Sequence, residues 1–591
     1  MIEAWTAPDV RAAEKPLLAA GEPLMSRAAH ALAATVLRDV AARRRSLAPG
    51  SPPRLRGGLG SDGLPGEAAV RGPGAGRRGA GARGAGARGD VRGARAVLLV
   101  GAGNNGGDTL FAGALLARRG LAVTAVLAAP RVHDAGLAAL RAAGGRVVSL
   151  FDVRVPVVVA EVAEADVVLD GLVGIGAHGV LRPPAGGLVR ALADARAALP
   201  HGAPRPWVVA VDVPSGIGVD DGTVAGPVLP ADRTVTFGAL KPGLVLPPAV
   251  HLAGIVEVVD LGLGLGDRRV TGGGAPGRSP ASGPAVRRLE ARDVAALLRV
   301  PGPRDHKYTR GVVGVVAGTE AFPGAAVLAV SGAARAGAGM VRYLGPESVG
   351  ALVLGRRPEV VTTGGRVQSW VLGPGVPADD DAADDQGRRI FGALAAVTGL
   401  LSADVTGGAV PAVVDAGAIE LVEHRCPPSV VITPHAGELT ALMQRLGHGV
   451  DRAGVEAEPL RWARAAHEAT GATVLLKGSV TVIAGQDGVF AQADGPAWLA
   501  TAGAGDVLAG LLGTLLASRS ADVLARPGLA AELAAAAVLL HGRAAWAVSG
   551  GSGDAQARAG AGTGARAGGP VVALDVADAL PAAIADVLAG A

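Results

Sequence analysis

Cysteine occurs once in the 591 residues, at Cys426, so no internal disulfide framework can form. Aromatic residues make up only 2% of the chain, and its cores must therefore be built from Ala, Val and Leu. Asparagine is confined to Asn104 and Asn105, and lysine to Lys15, Lys241, Lys307 and Lys477. A residue type that a chain otherwise avoids points to a specific constraint. That singles out the paired asparagines, and the last three lysines in their Gly- or Pro-rich contexts. Chance retention on the surface is the competing explanation for each lysine, and a much weaker one for the asparagines. Long apolar runs are also missing: stretches such as 533–540 stop short of the roughly 20 residues that span a bilayer, so no membrane segment is predicted. The first residues, Met1-Ile2-Glu3-Ala4-Trp5, lack the basic and apolar regions of a secretory signal, and the chain reads as cytoplasmic.

What is abundant is glycine, 92 residues of it, with no short period of the collagen or silk kind. The length exceeds one ordinary core, so two domains are expected. Residues 46–95 form a Gly/Arg/Pro-rich tract with almost no large apolar side chains, which predicts a disordered insert. Twelve arginines between Arg43 and Arg95 face only Asp62, Glu67 and Asp90, against a whole-chain net charge of +4. Weak polyanion binding is conceivable for such a tract, but a solvated insert is the preferred reading and no nucleic-acid partner is expected. Similar stretches divide the chain into a first domain at 1–263, a linker at 264–286 and a second domain at 287–591 containing a low-complexity loop at 550–569.

Between these tracts a pattern recurs: a short Val/Leu/Ile run, a turn, then an Ala/Leu helix. Strands are predicted at 96–100, 166–169 and 208–211, and again at 311–316, 369–372, 412–414, 430–432 and 473–476. The alternation implies an α/β chain with parallel sheets covered on both faces and ligands at the carboxyl ends of the strands.

In the first half, Gly101-Ala102-Gly103-Asn104-Asn105-Gly106-Gly107-Asp108 follows a strand and opens a helix expected from Thr109. Its backbone N–H groups form an anion site suited to phosphate, and its polar side chains suit a cation or a ribose. Two later strand ends carry carboxylates. Asp170 precedes Gly171-Leu172-Val173-Gly174-Ile175-Gly176, and Asp212 opens Asp212-Val213-Pro214-Ser215-Gly216. A dinucleotide-binding dehydrogenase fits less well, because the turn lacks the three-glycine spacing and no ribose-binding acid follows at the expected distance.

These motifs, with Phe237-Gly238-Ala239-Leu240-Lys241-Pro242-Gly243, resemble the NAD(P)H-hydrate epimerase family over roughly residues 1–262. The resemblance implies a Rossmann-like three-layer domain and a potassium ion held by Asn105, Asp170 and Ser215. The hydrated dinucleotide, NADHX or NADPHX, would be contacted by Asn104, Asn105, Gly106, Gly107 and Asp108, and by Asp212. Gly174, Ile175, Gly176, Ala177, His178, Gly179 and Val180 complete that implied contact set. Interconverting the epimers needs proton transfer at the hydrated carbon, and Asp212 is the candidate base, with a turn-capping role before Pro214 as the alternative. Lys241 would balance charge or contact the ligand. Thr109 and Leu110 depart from the family pattern, which more often has glycine and a bulky residue there.

The second half restarts with Asp305-His306-Lys307-Tyr308-Thr309-Arg310-Gly311, a strand, and Ala317-Gly318-Thr319-Glu320-Ala321-Phe322-Pro323-Gly324-Ala325. Leu372-Gly373-Pro374-Gly375, Thr433-Pro434-His435-Ala436-Gly437-Glu438, Lys477-Gly478-Ser479-Val480-Thr481 and Thr501-Ala502-Gly503-Ala504-Gly505-Asp506 follow. The last of these enters a helix predicted over 507–516. It would aim N–H groups at a phosphate and set Asp506 to take a proton from a hydroxyl.

This series resembles the ADP/ATP-dependent NAD(P)H-hydrate dehydratase family over about 290–590, which implies a ribokinase-like three-layer domain. By that resemblance Lys477, Gly478, Ser479, Val480, Thr481 and Gly505 bind the adenine nucleotide, with ADP the expected donor. Ala325, Gly375, His435 and Asp506 contact the hydrate, and Asp506 is the catalytic base. Magnesium is expected with the nucleotide, its ligands unassigned. His435 alternatively serves as an ordinary turn residue. Ala502 and Ala504 make the turn less glycine-rich than in many relatives.

The two resemblances together imply a homo-oligomeric repair enzyme. It would epimerise the R and S hydrates and dehydrate the S form to NAD(P)H, converting ADP to AMP and phosphate. Two other readings stay open: a ribokinase-like hydroxymethylpyrimidine or vitamin kinase, and a non-catalytic nucleotide-binding regulatory protein.

Overall fold

The computed structural model describes residues 1–47, 91–176, 179–200, 202–265, 283–377, 384–398, 409–422, 425–551 and 568–590. The predicted insert lies mostly outside them, as do most of the predicted linker and of the 550–569 loop. The ends of the insert do not fit the expectation. A helix continues to Leu47, and Val91 and Ala94 are buried in the first core, because apolar side chains at these edges find a surface to cover.

The chain opens with β1 (Ile2–Ala4). Then come β2 (Arg95–Val100), β3 (Ala122–Leu127), β4 (Arg146–Ser149), β5 (Val167–Gly171), β6 (Trp207–Val211), β7 (Arg233–Phe237) and β8 (Ile255–Val259). β2 to β8 form a parallel sheet in the order 4-3-2-5-6-7-8. Their continuous Val and Leu runs suit strands buried on both faces. The order reverses beside β2, which opens a crevice between the carboxyl ends of β2 and β5.

The second sheet contains β9 (Val286–Arg288), β10 (Val312–Val316), β11 (Met340–Tyr343), β12 (Ser369–Leu372), β13 (Ala412–Val414), β14 (Val430–Ile432), β15 (Thr473–Leu476), β16 (Thr481–Gly485) and β17 (Gly488–Gln492). Its order is 1-9-17-16-15-14-13-12-10-11, parallel from β11 to β15 and antiparallel through the β15–β16–β17 meander. Each strand anticipated from the sequence is present, within a residue or two of its expected ends.

Small side chains set how the layers meet. The helix Ala504–Ser518 crosses Pro323–Arg335 so closely that a Cβ on Gly332 would fall 2.3 Å from the Val507 carbonyl oxygen, and one on Gly510 would fall 2.0 Å from that of Ala329. With few aromatics available, near backbone contact fills this space. The helix Leu529–Ser549 is long and apolar enough to cross a bilayer by length and composition, a test its uninterrupted runs alone do not meet. Ala and Leu keep its average hydropathy high despite Glu532, His541 and Arg543. It is mostly buried, packed against β15–β17 and the helix Ala573–Ala589 as a core element.

The sheets do not respect the division expected at 263. β1 pairs antiparallel with β9 at the edge of the second sheet, Glu3 opposite Arg287. The chain then crosses to the first half, where Trp5 N donates to Leu240 O at 2.8 Å. One apolar cluster contains Val213, Leu244 and Leu246 from the first half with Val474, Val480 and Val482 from the second.

Candidate active sites

The first site gathers at the carboxyl ends of β2, β5, β6 and β7. The glycine turn is not a loop ahead of a helix at Thr109. The helix Asn104–Arg118 begins at once after N-cap Gly103, and Asn104 to Asp108 are its first turn. The N–H groups of Asn104, Asn105 and Gly106 precede the first intrahelical bond, from Gly107 N to Gly103 O, so helix-poor residues cost little and these groups stay available to an anion. Thr109 fits this geometry well. Its Oγ1 donates to Asn105 O at 2.7 Å, and it fills the space beside Gly171, where a Cβ would fall 1.9 Å from that oxygen.

Asn105 donates through Nδ2 to Val173 O at 2.8 Å, while its Oδ1 is buried without a partner. Asp170, fully buried, accepts from Ser215 N at 2.8 Å and from Ser215 Oγ at 2.6 Å. Ser215 Oγ accepts in turn from Val173 N at 3.1 Å. Burial pushes the Asp170 carboxyl upward against these hydrogen bonds. Thus Asn105, Asp170 and Ser215 meet around Val173. An oxygen-rich set with one unsatisfied buried carbonyl fits a weakly polarising cation such as potassium.

Asp212 sits in the left-handed region at φ 67°, a strained position for a side chain of this kind. Its Oδ1 accepts from Lys241 Nζ at 2.6 Å, Thr236 Oγ1 at 3.1 Å and Phe237 N at 3.2 Å. These partners come from the end of β7 and the loop after it, which is not the pattern of a carboxylate capping its own turn. Lys241 is buried, and its protons go to Asp212, Thr236 Oγ1 and Phe237 O, the last two at 2.8 Å. Lys241 therefore balances the charge of Asp212, with no proton left over for a ligand.

Asp108 is buried, with Oδ1 unpartnered. Burial and the nearby Asp212 and Glu14 carboxylates push it up to about 8. Glu14 escaped the sequence reading, because nothing in an N-terminal helix at 7–19 marks it as part of a site 90 residues away. It lies on the helix Ala7–Ala19, and burial raises its carboxyl while Lys241 lowers it. That helix is tied to the loop after β5 by Arg11, which donates to Ile175 O at 2.6 Å. Within the same loop Gly174 lies against Asn105, Gly176 and Gly179 continue the rim, and Val180 is exposed. Ala177 and His178 lie outside the described residues.

The second site gathers at the carboxyl ends of β10 and β12–β15. The helix Ala504–Ser518 starts earlier than predicted, after Gly503 at φ 82°, which places Gly505 and Asp506 in its first turn. Lys477, just after β15, donates to Asp415 Oδ1 at 2.8 Å and lies 3.6 Å from Glu438 Oε2. Thr433 Oγ1 donates to the same Asp415 oxygen at 2.8 Å. A Cβ on Gly505 would lie 3.4 Å from Lys477 Nζ, so the nucleotide-loop lysine and the helix N-terminus are neighbours. Burial lowers Lys477, but Asp415 and Glu438 outweigh it and hold the ammonium above its ordinary value. Burial, then Asp415, pushes Asp506 up to about 7 against the opposing charge of Lys477.

Gly375 stands directly against Ala325, whose Cβ would be 2.4 Å from one built on the glycine. His435 is the N-cap of the helix Ala436–Arg445: Nδ1 accepts from Glu438 N at 3.1 Å, and His435 N donates to Glu438 Oε2 at 2.7 Å. This is the turn role that the sequence left open; the ring is exposed, with Nε2 3.6 Å from Glu438 Oε1. Gly478 and Ser479 are exposed in the turn between β15 and β16, where Val480 and Thr481 are buried. Asp415 was missed, although an aspartate directly after a Val-rich strand is the signal already used for Asp170 and Asp212.

Residues 313–557 match the family model for NAD(P)H-hydrate dehydratase, and residues 21–243 match that for the YjeF-related protein N-terminus. The bifunctional NAD(P)H-hydrate repair enzyme Nnr of Mycobacterium tuberculosis is 42% identical over 447 residues, covering 73% of this chain and 80% of that protein. The chain belongs to the bifunctional NAD(P)H-hydrate repair enzymes. The NAD(P)H-hydrate epimerase of Microbacterium testaceum is 43% identical over 264 residues, 44% of this chain and 79% of the relative. Among solved structures, the ADP/ATP-dependent NAD(P)H-hydrate dehydratase from Bacillus subtilis, co-crystallized with ATP/Mg2+, aligns with 99% of its chain and 51% of this one, at 24% identity and a TM-score of 0.39. Membership of this bifunctional family sets aside both the kinase reading and the non-catalytic one.

Proposed function

We propose that the first half interconverts the R and S hydrates of NADH or NADPH, and that the second half dehydrates the S form at the expense of ADP. The observation that carries this is a pair of separate strand-end crevices on one chain of this family, each with a carboxylate raised toward neutrality: buried Asp108 beside Asp212, and half-buried Asp506 beside Lys477. We assign the first activity to residues 1–263 and the second to 287–591.

In the first crevice, the hydrate carries its hydroxyl on a carbon next to the ring nitrogen. Asp108, protonated at neutral pH, gives its proton to that hydroxyl, which leaves as water while the nitrogen lone pair fills the gap. Water returns to the opposite face and loses a proton to Asp212, which Lys241 holds in place. Asn105, Asp170 and Ser215 would hold potassium, which when bound supplies positive charge near the dinucleotide. Asn104 to Asp108, Gly174 to Val180 and Asp212 would contact the dinucleotide.

In the second crevice, Asp506 takes the proton of the ring hydroxyl, whose oxygen attacks the terminal phosphoryl group of ADP and releases AMP. Phosphate then leaves with the carbon–oxygen bond, and loss of a proton from the adjacent carbon restores the ring double bond. A hydroxyl is a poor leaving group and a phosphate a good one. Lys477, Gly478, Ser479, Val480, Thr481 and Gly505 hold the nucleotide, while Ala325, Gly375 and His435 contact the hydrate. Magnesium, when it arrives with the nucleotide, neutralises phosphate charge.

The test is to incubate purified protein with separated R and S NADH hydrates, with and without ADP, and follow the absorbance of the reduced nicotinamide. Both epimers should be recovered with ADP and neither without it. Phosphorylation of a hydroxymethylpyrimidine with no recovery of either hydrate overturns the reading.

A further inference from the structure

The nucleotide loop of the second half touches the first half at one polar point. His251 lies in the 3-10 turn Ala249–Leu252, which ends on the loop before β8. Its Nε2 lies 2.8 Å from Ser479 Oγ, in the exposed turn between β15 and β16. The contact is not an isolated touch between two surfaces. Leu246 and Ala249 on one side, and Val480 and Val482 on the other, are buried in one continuous apolar cluster, and β1 binds the halves a second time by pairing with β9.

The other side chains of the loop have little freedom. Lys477 is committed to Asp415 beside the helix N-terminus, Val480 is in the core, and Thr481 is buried at the start of β16. Ser479 therefore carries the loop's exposed hydroxyl. A serine hydroxyl on an exposed turn rotates freely, and ordering it is an entropic cost that binding must meet. An imidazole N–H donated to Oγ occupies a lone pair and leaves the hydroxyl proton to be donated elsewhere.

We propose that His251, carried by the epimerase half, is a positioning residue of the dehydratase half's nucleotide site, orienting the Ser479 hydroxyl toward a phosphate oxygen of the bound nucleotide. This rests on the assignment of residues 477–481 to nucleotide binding. By this contact the fusion does more than place two activities on one chain: one half completes the other's binding loop.

The test is ADP-dependent dehydration of the S hydrate by the full chain at varied ADP. His251→Ala should raise the KM for ADP about five-fold, the value of one ordinary hydrogen bond, with kcat and epimerisation unmoved. His251→Gln, whose amide N–H can still donate, should restore most of the affinity. Ser479→Ala should raise KM similarly, and adding His251→Ala to it should change nothing further. The proposal is overturned if His251→Ala leaves KM unchanged while Ser479→Ala raises it, or if the two effects multiply in full. A parallel fall in both activities with no change in KM also overturns it, since that is the mark of a purely structural contact. Wild-type protein that shows no ADP-dependent dehydration removes the underlying functional reading, and this proposal with it.

Discussion

Lys241 and Asp212 form a buried ion pair at 2.6 Å in which the lysine's other protons are also engaged, by Thr236 Oγ1 and Phe237 O. The aspartate is held at one orientation, with Oδ1 facing inward. Lys241→Met removes one partner of a buried pair and strands the other, which is expected to cost about 3–5 kcal/mol. Denaturant unfolding should report the loss and epimerisation should fall at least about a hundred-fold, roughly a 2.7 kcal/mol effect. Epimerisation within two-fold of wild type would show that Asp212 needs no such support.

Asp108 should give epimerisation an upper pH limb. Its protonated form is the working acid, so the rate is expected to decline above about 8, and Asp108→Asn should be slow and lack that limb. Stability carries the same signature. The folded state keeps a proton that the unfolded chain releases near 3.8, so stability falls as pH rises from there to about 8 and levels off beyond. Asp108→Asn should therefore gain on wild type across that window in pH-dependent unfolding.

Asp506 acts ionised, so dehydration should rise with pH through about 7, the opposite slope to the epimerase limb. Asp506→Asn should abolish ADP-dependent recovery of the S hydrate and leave epimerisation intact, a separation that a single assay of both activities can read.

Asn105→Ala removes the unsatisfied carbonyl oxygen beside Asp170 and Ser215. If that oxygen faces a cation, the variant should lose any difference in epimerisation between potassium and lithium buffers. A variant that keeps the wild-type potassium response rules the assignment out.

Gly332→Ala places a methyl group 2.3 Å from the Val507 carbonyl oxygen, at the crossing that carries Asp506. Overpacking there is expected to cost about 1–3 kcal/mol and to lower dehydration more than epimerisation, measured as Tm and as the ratio of the two rates.

Strands were legible because Val/Leu runs such as β12 and β13 have no other use in a buried parallel sheet, and the glycine-rich strand ends marked both crevices. The residues that escaped did so for physical reasons. Glu14 reaches its site only through the fold-back of the helix Ala7–Ala19, which no local spacing encodes. Asp415 was hidden by an ordinary context, its role set by Lys477, 62 positions later. The beginnings of the helices at Asn104 and Ala504 were misplaced because glycine reads as a helix breaker, whereas a first turn with free N–H groups tolerates it.

β1 also has a bearing on the order of assembly. Ile2–Ala4 find their sheet partner only at Val286–Arg288, nearly 300 positions on. A ribosome finishes the whole first sheet before that partner exists, so until the second half emerges the segment is held by contacts within the first half, such as Trp5 N on Leu240 O and Ala7 N on Asp220 Oδ1. β1 is thus seated in its sheet only after the first half is made, and closing so long a loop makes that pairing a late contact.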